Sequence, residues 1–289
     1  MGDRMAKRRR IQPSQAVECD SDSGELNHAT SSPLSREALY TELHSEAIPH
    51  DTLVALQLLV NQFPPAAKAC VAPFALRSQL YSLVNDRTCV DRQLDELRTG
   101  RQVKVLKLPA STDEYAYMFA LDYCAMVQAA KQKHQAAKGL VPELKVFEWL
   151  TDRVAPAYTK TTIQHAELLQ LLGTDTSRGI CDAVTEAQVS LLLHAGLLMR
   201  DMQDADLYLF SMAGAGPVVK SLLKQRKEFV MGLRRKRYPE VFMRELEKRK
   251  PIASALVDQR FLIRDLIGTN TLTQQETTSG PLLRLTSKH

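Results

Sequence analysis

The stretch LRSQLYSLVNDRTCVDRQLDELRTGRQVKVL, Leu76 to Leu106, decides how the rest of the chain is read. Leu76, Leu80 and Leu83 recur at helical spacing, and Asn85-Asp86 interrupts them with turn chemistry. Thr88-Cys89-Val90-Asp91 has the Thr-x-x-Asp form of a capping pattern and opens a second helix, with Val90, Leu94 and Leu97 as its buried stripe. Gly100 is placed to end that helix, and Val103, Val105 and Leu106 begin an extended segment.

Working outward, Leu53, Leu56, Leu59 and Val60 predict an earlier helix that Pro64-Pro65 closes. Downstream, a polar loop leads to a second extended segment, Tyr115 to Leu121, and Asp122 to Gln135 reads as a connecting helix. Helix, helix, turn, helix and hairpin is the order of a winged helix. The order recurs without sequence identity between the units. Leu144, Phe147, Trp149 and Leu150 mark a helix, and Ile163 to Leu172 contains another. Thr185 to Ala195 is a third, with Gly196 at its end, and Leu197 to Arg200 with Leu207 to Phe210 forms a hairpin. A last unit starts at Ala213-Gly214-Ala215-Gly216-Pro217, where Pro217 suits the first turn of a helix reaching about Arg237. Val219, Leu222, Leu223, Val230 and Leu233 are its expected apolar face. After Pro239 another helix is expected to present Val241, Phe242 and Leu246. Short segments around Phe261 to Ile267 and a hairpin from Thr271 to Glu276 and Leu282 to Leu285 complete the unit. The expected fold class is mainly α with short β-hairpins (α+β), in three tandem winged-helix domains. Their expected bounds are 34–136, 137–212 and 213–289, after a disordered tail over 1–33.

Composition narrows the function classes. Aromatic residues make up 6% of the 289, which argues against a surface of stacked rings for single-stranded nucleic acid. No apolar run has the length of a bilayer span, and the basic N-terminus has no apolar region after it, so neither secretion nor a membrane is expected. Cys19, Cys70, Cys89, Cys124 and Cys181 are scattered, with no C-x-x-C pair and no histidine at zinc-site spacing, so no metal or other cofactor is expected.

Charge is where the chain speaks most clearly. Lys220 to Lys250 holds twelve Lys or Arg and four Glu, a local net of +8 in a chain whose total is +5. Lys220, Lys224, Lys227 and Arg234 share one face of the expected helix. Arg226, Arg235, Lys236 and Arg237 are read as widening it, and Lys248-Arg249-Lys250 as a second patch. Only Glu228 offsets the helix, so its cations call for an anionic partner, and a duplex with one charge per about 1.7 Å of axis fits a basic rod. Phosphate contact is expected rather than base readout. Elsewhere the drive is absent. The helix of the first unit mixes Arg87, Arg92 and Arg98 with Asp86, Asp91, Asp95 and Glu96, and residues 161–211 hold two Arg and seven Asp or Glu. That second unit reads as a spacer or protein-docking surface. Lys7-Arg8-Arg9-Arg10 fits a nuclear import signal, and the acidic serines after it would suit phosphorylation. The competing reading is a protein-interaction scaffold whose basic helix docks an acidic partner.

Several blocks resemble one family. Leu76 to Val84, Asp86-Arg87-Thr88 and Asp91-Arg92-Gln93-Leu94 are similar to the serine/threonine-protein kinase 19 family. So are Gly214-Ala215-Gly216, Asp265-Leu266-Ile267-Gly268, and Thr277-Thr278-Ser279-Gly280 with Leu282-Leu283-Arg284-Leu285. The resemblance implies three winged-helix domains, a nuclear location and double-stranded DNA binding through the basic C-terminal region, here the Lys220 to Arg237 helix and its surroundings. It further implies transcription-coupled nucleotide excision repair, bridging stalled RNA polymerase II to transcription factor IIH, with a homodimer on DNA as a further expectation.

The family's name invites a kinase reading, and Arg264-Asp265-Leu266 with Asn270 imitates part of a kinase catalytic loop. Ile263 stands where the loop needs His, no D-F-G occurs, and Gly216 precedes Pro217 rather than a strand. No catalytic residue is expected. His165 and His194 lie within helical pattern and read as structural.

Overall fold

The apolar repeats read in the sequence become three successions of helix, strand, helix, helix and hairpin in a computed structural model. It describes residues 50–64, 71–110, 114–138, 142–175, 180–181, 183–248 and 256–286. The basic cluster Lys7-Arg8-Arg9-Arg10, the tail over 1–33, and Arg249 and Lys250 lie outside the described residues.

In the first succession, α1 (Asp51–Asn61) buries Leu53, Leu56, Leu59 and Val60 as their spacing requires. Strand β1 (Ala75–Leu76) precedes α2 (Arg77–Leu83), so Leu76 belongs to a sheet and not to the helix expected there. The Gln79 side chain accepts the Leu76 N–H at 2.9 Å and starts that helix. For α3 (Arg87–Thr99) the cap is Asp86, whose carboxylate accepts from the Thr88 and Cys89 amides at 3.0 and 3.1 Å. This corrects the Thr88-to-Asp91 capping pattern: a carboxylate two residues earlier reaches both orphan amides. At the far end the left-handed residue is Arg101 (φ 62°), while Gly100 keeps a negative φ. Strands β2 (Val103–Lys107) and β3 (Tyr115–Phe119) pair antiparallel with Val105 opposite Tyr117, giving the sheet order β1-β3-β2. The strand expected to run to Leu121 stops at Phe119, because α4 (Ala120–Lys138) begins there.

The second succession opens with a 3-10 turn at Pro142–Leu144, α5 (Lys145–Trp149), a π turn at Leu150–Val154 and α6 (Ala155–Ala157). Pro156 has no N–H for the carbonyl four residues back, which accounts for the widened turn. Ile163, expected in a helix, sits in β4 (Thr162–Gln164), followed by α7 (His165–Gly173) and the short pair β5 (Thr174–Asp175) and β6 (Ile180–Cys181). Then come α8 (Glu186–His194), capped reciprocally by Thr185 and Gln188, and the hairpin of β7 (Leu198–Arg200) and β8 (Leu207–Phe210). The sheet order is β4-β8-β7.

The third holds α9 (Ala215–Arg234), β9 (Glu240–Phe242), α10 (Met243–Lys248), α11 (Gln259–Gly268), β10 (Leu272–Thr277) and β11 (Gly280–Leu285), with order β10-β11-β9. Three expectations change here. Helix α9 ends at Arg234, Val241 and Phe242 extend in β9, and the segments around Phe261 form one helix.

One apolar core runs from Phe63 to Leu283 and joins the three successions. Between the first and second, Lys107 and Ser211 form a parallel bridge, and the Ser211 hydroxyl donates to the Lys107 carbonyl at 3.0 Å. Lys104 reaches across to the Ala155 and Tyr158 carbonyls, and burial lowers its amine to a pKa of about 8.

Candidate nucleic-acid interface

Helix α9 carries the concentrated charge, and its two sides are opposed. At about 100° per residue, Lys220, Lys224, Lys227 and Arg234 fall within an arc of roughly 80° and along about 21 Å of axis. All four are exposed. Ala215, Val218, Val219, Leu222, Gln225 and Leu233 are buried and centre on the opposite side. Arg235, Lys236 and Arg237 continue the exposed cations past the helix end, with the Arg237 guanidinium 5.5 Å from the Tyr238 ring centroid. Lys236 Nζ donates to the Glu240 carbonyl at 3.3 Å, and Lys248 is exposed on α10. Glu228 lies 3.8 Å from Lys224, an i, i+4 pair between half-exposed groups that removes little of the field.

Arg226 does not belong to this surface. Its position on α9 is roughly 120° around the axis from the cationic stripe, and its side chain is 17% exposed. Its Nε and Nη2 donate to Asp265 at 2.6 and 2.9 Å, and its Nη1 donates to Glu114. Burial works against this charge, but Asp265 and Glu114 outweigh it and hold the guanidinium above the ordinary arginine pKa. Leu223, expected in the apolar face, is 37% exposed at the flank.

The helix that normally enters the major groove of a winged helix is the third of the unit. In the third succession that helix is α11, and it is sealed. Phe261 packs edge-on against Phe63 and Phe74 at 5.8 Å from each, and the Gln79 side chain donates to its carbonyl at 3.1 Å. Asp265 is fully buried and accepts the Ser78 hydroxyl at 2.6 Å. Arg87 closes the end, donating to the Gly268 carbonyl at 3.1 Å and to Asn270 Oδ1 at 2.7 Å. The kinase-like residues therefore have structural places: Asp265 is an ion-pair partner, and Asn270 takes the left-handed conformation (φ 58°) that stops the helix. The sequence blocks that include Leu76 to Val84 and Asp265 to Gly268 are the two sides of this seam.

The corresponding helices of the other units carry compensated charge. On α3, Arg98 pairs with Asp95 and Arg92 lies 3.8 Å from Glu96. On α8, Glu186 lies 3.1 Å from His165, whose other ring nitrogen meets the Tyr208 hydroxyl at 3.2 Å. His194 Nδ1 lies 2.6 Å from the Ser190 carbonyl. Among the described residues no group of three His, Cys, Asp or Glu is placed to hold a metal ion, and no helix is long and apolar enough to cross a membrane.

Comparison with known proteins follows the same outline. The model of the family described as "Inactive serine-threonine protein kinase 19" matches residues 57–285. Winged helix repair factor 1 of Homo sapiens is 29% identical over 238 residues, which cover 82% of this chain and 86% of that protein. Its Mus musculus counterpart is 30% identical over 232 residues, 80% of this chain and 84% of the relative. The Xenopus laevis protein of that name is 26% identical over 213 residues, covering 74% and 75%.

Proposed function

Because the chain belongs to the inactive serine-threonine protein kinase 19 family, we propose that it is a non-catalytic adaptor that holds double-stranded DNA by its phosphates. The observation that carries this reading is the row of exposed cations on α9, diametrically opposite the buried face, in a unit whose third helix is covered by α2. A rod that offers charge while its groove-reading helix is sealed suits backbone contact and gives no means of reading bases. The contacts are Lys220, Lys224, Lys227 and Arg234 along the helix, Arg235, Lys236 and Arg237 beyond it, and Lys248. Arg249 and Lys250 extend the same patch in sequence.

The three successions are read as three tandem winged-helix domains over 34–136, 137–212 and 213–289. The relatives' printed name, winged helix repair factor, supports both this architecture and a place in DNA repair, hence in the nucleus. The family resemblance takes the role to transcription-coupled nucleotide excision repair, with the chain bridging stalled RNA polymerase II and transcription factor IIH. A homodimer on DNA belongs to the same proposal. The acidic second unit, with Asp204 and Asp206 exposed at its hairpin and Asp201 half-buried beside them, faces away from a phosphate-binding role and suits protein docking.

A salt titration on a duplex tests the central reading. Contact with about six phosphates gives a log–log slope of about −5, the same for unrelated base sequences. Reversing Lys220, Lys224 and Lys227 to Glu together is expected to flatten that slope and abolish binding at moderate salt. Retained binding by the folded triple variant would overturn the assignment and favour an acidic protein as the partner of this helix.

A further inference from the structure

Resting on that DNA-binding reading, we infer that Arg226 is a positioning residue: through Asp265, Glu114 and Ser78 it fixes the angle at which α9 presents its cations. The four residues come from four segments. Arg226 lies on α9, Asp265 on α11, Ser78 on α2, and Glu114 just ahead of β3. Ser78 donates to Asp265 at 2.6 Å, Asp265 receives two bonds from Arg226, and Arg226 also donates to Glu114. The basic helix is thus pinned by one fork to its own unit and to the first.

Packing alone does not hold this fork. A cavity of about 240 Å³ opens beside it, lined among others by Tyr81, Arg87, Tyr117 and Thr269. The guanidinium therefore has room to leave, and the paired carboxylates keep it in place. Among the described residues, Glu114 Oε2 is buried with no hydrogen-bond partner. Removing Arg226 would leave the buried Asp265 and the half-buried Glu114 beside one another with no counter-charge between them, which is costly in a low-dielectric seam. Phosphate binding by an array is sensitive to aim, because several cations must meet a helical lattice of charges together. A helix free to pivot at its middle loses that coincidence even with every surface lysine intact.

The sign of the effect separates positioning from simple charge. Asp265→Asn removes a negative charge and so makes the chain more cationic; Coulomb attraction alone predicts tighter duplex binding. Asp265 is fully buried and cannot touch DNA itself. Positioning predicts the opposite: duplex affinity at fixed salt falls about three- to thirtyfold, the range of coupling carried through a packed network. Glu114→Gln, at a site 23% exposed, is the milder companion and is expected to weaken binding in the same direction. Amide exchange along α9 should rise in both variants, while circular dichroism shows the fold retained. Arg226→Lys keeps the charge but not the fork, so it should not restore wild-type affinity. Should folded Glu114→Gln and Asp265→Asn proteins bind duplex as tightly as wild type or tighter, Arg226 has no positioning role. The surface triple reversal distinguishes the two failures. If the triple variant loses DNA and these variants do not, only this inference falls; if the triple keeps DNA, the parent reading falls with it.

Discussion

Gly268 packs its α-carbon onto the backbone of α2: a Cβ built there would stand 1.6 Å from the Ser78 carbonyl oxygen and 2.4 Å from its carbon. Backbone cannot yield as a flexible side chain can, so Gly268→Ala has to push the two helices apart. A destabilisation of about 3 kcal/mol is expected, at the upper end of overpacking costs. A shift of the denaturant midpoint to lower concentration without a change in slope would register it, and an unchanged midpoint would contradict the contact. Nothing in the local sequence announces this. A glycine following Asp265-Leu266-Ile267 reads as a helix stop, and the helix does stop there, but its second duty depends on a segment far away in the chain. Arg226 was opaque for a related reason. Its neighbours are cations, so a one-dimensional count adds it to them, whereas the turn of the helix carries it round to Asp265. The helical angle was calculable from the start; the carboxylates waiting on that side were not. At Asp86 two capping schemes overlap within Asp86 to Asp91, and only the geometry of the carboxylate and the amides decides between them.

Among elements, the long helices were legible because a period of 3.6 needs several turns to declare itself, and α1, α3, α4 and α9 have them. The strands leading into α2, α7 and α10 were not. Each is two or three residues long, too short for alternation, and is defined by its partners β3, β8 and β11. Without those partners, Ile163, Val241 and Phe242 carry no local mark that separates a strand from the helix each precedes. Charge on α9 was readable at the level of the stripe, and one position within it tests the stripe directly. Met231 is 41% exposed and falls among Lys224, Lys227 and Arg234 when the helix is viewed end-on. Met231→Lys is expected to add one phosphate contact, steepening the log–log salt slope by about 0.9 and tightening duplex binding at low salt. An unaltered slope would place the duplex elsewhere on the molecule.

At the scale of the molecule, three sheets that each repeat the same order could have been three beads joined by linkers. The side chains argue otherwise. The Phe63, Phe74 and Phe261 rings make one cluster from the first and third successions, with Phe63 and Phe74 5.0 Å apart, and Arg264 donates to Gln62 at 2.6 Å across the same seam. Lys104 and Ser211 close the first onto the second. Buried apolar area, edge-on aromatic contacts and paired charge cross these boundaries, and the free energy of each unit depends on surfaces that its neighbours cover. Unfolding the first or the third unit alone would expose Phe261 or Phe74 to water and part Glu114 from Arg226, so such a partly unfolded species is disfavoured on both counts. The chain is therefore expected to melt in a single transition, with calorimetric and van't Hoff enthalpies equal. Gly268→Ala, whose strain sits in the seam, should lower that one midpoint rather than split off the third unit. Two resolved transitions in either protein would mean that the domains are independent and that α9 is aimed by its own unit alone.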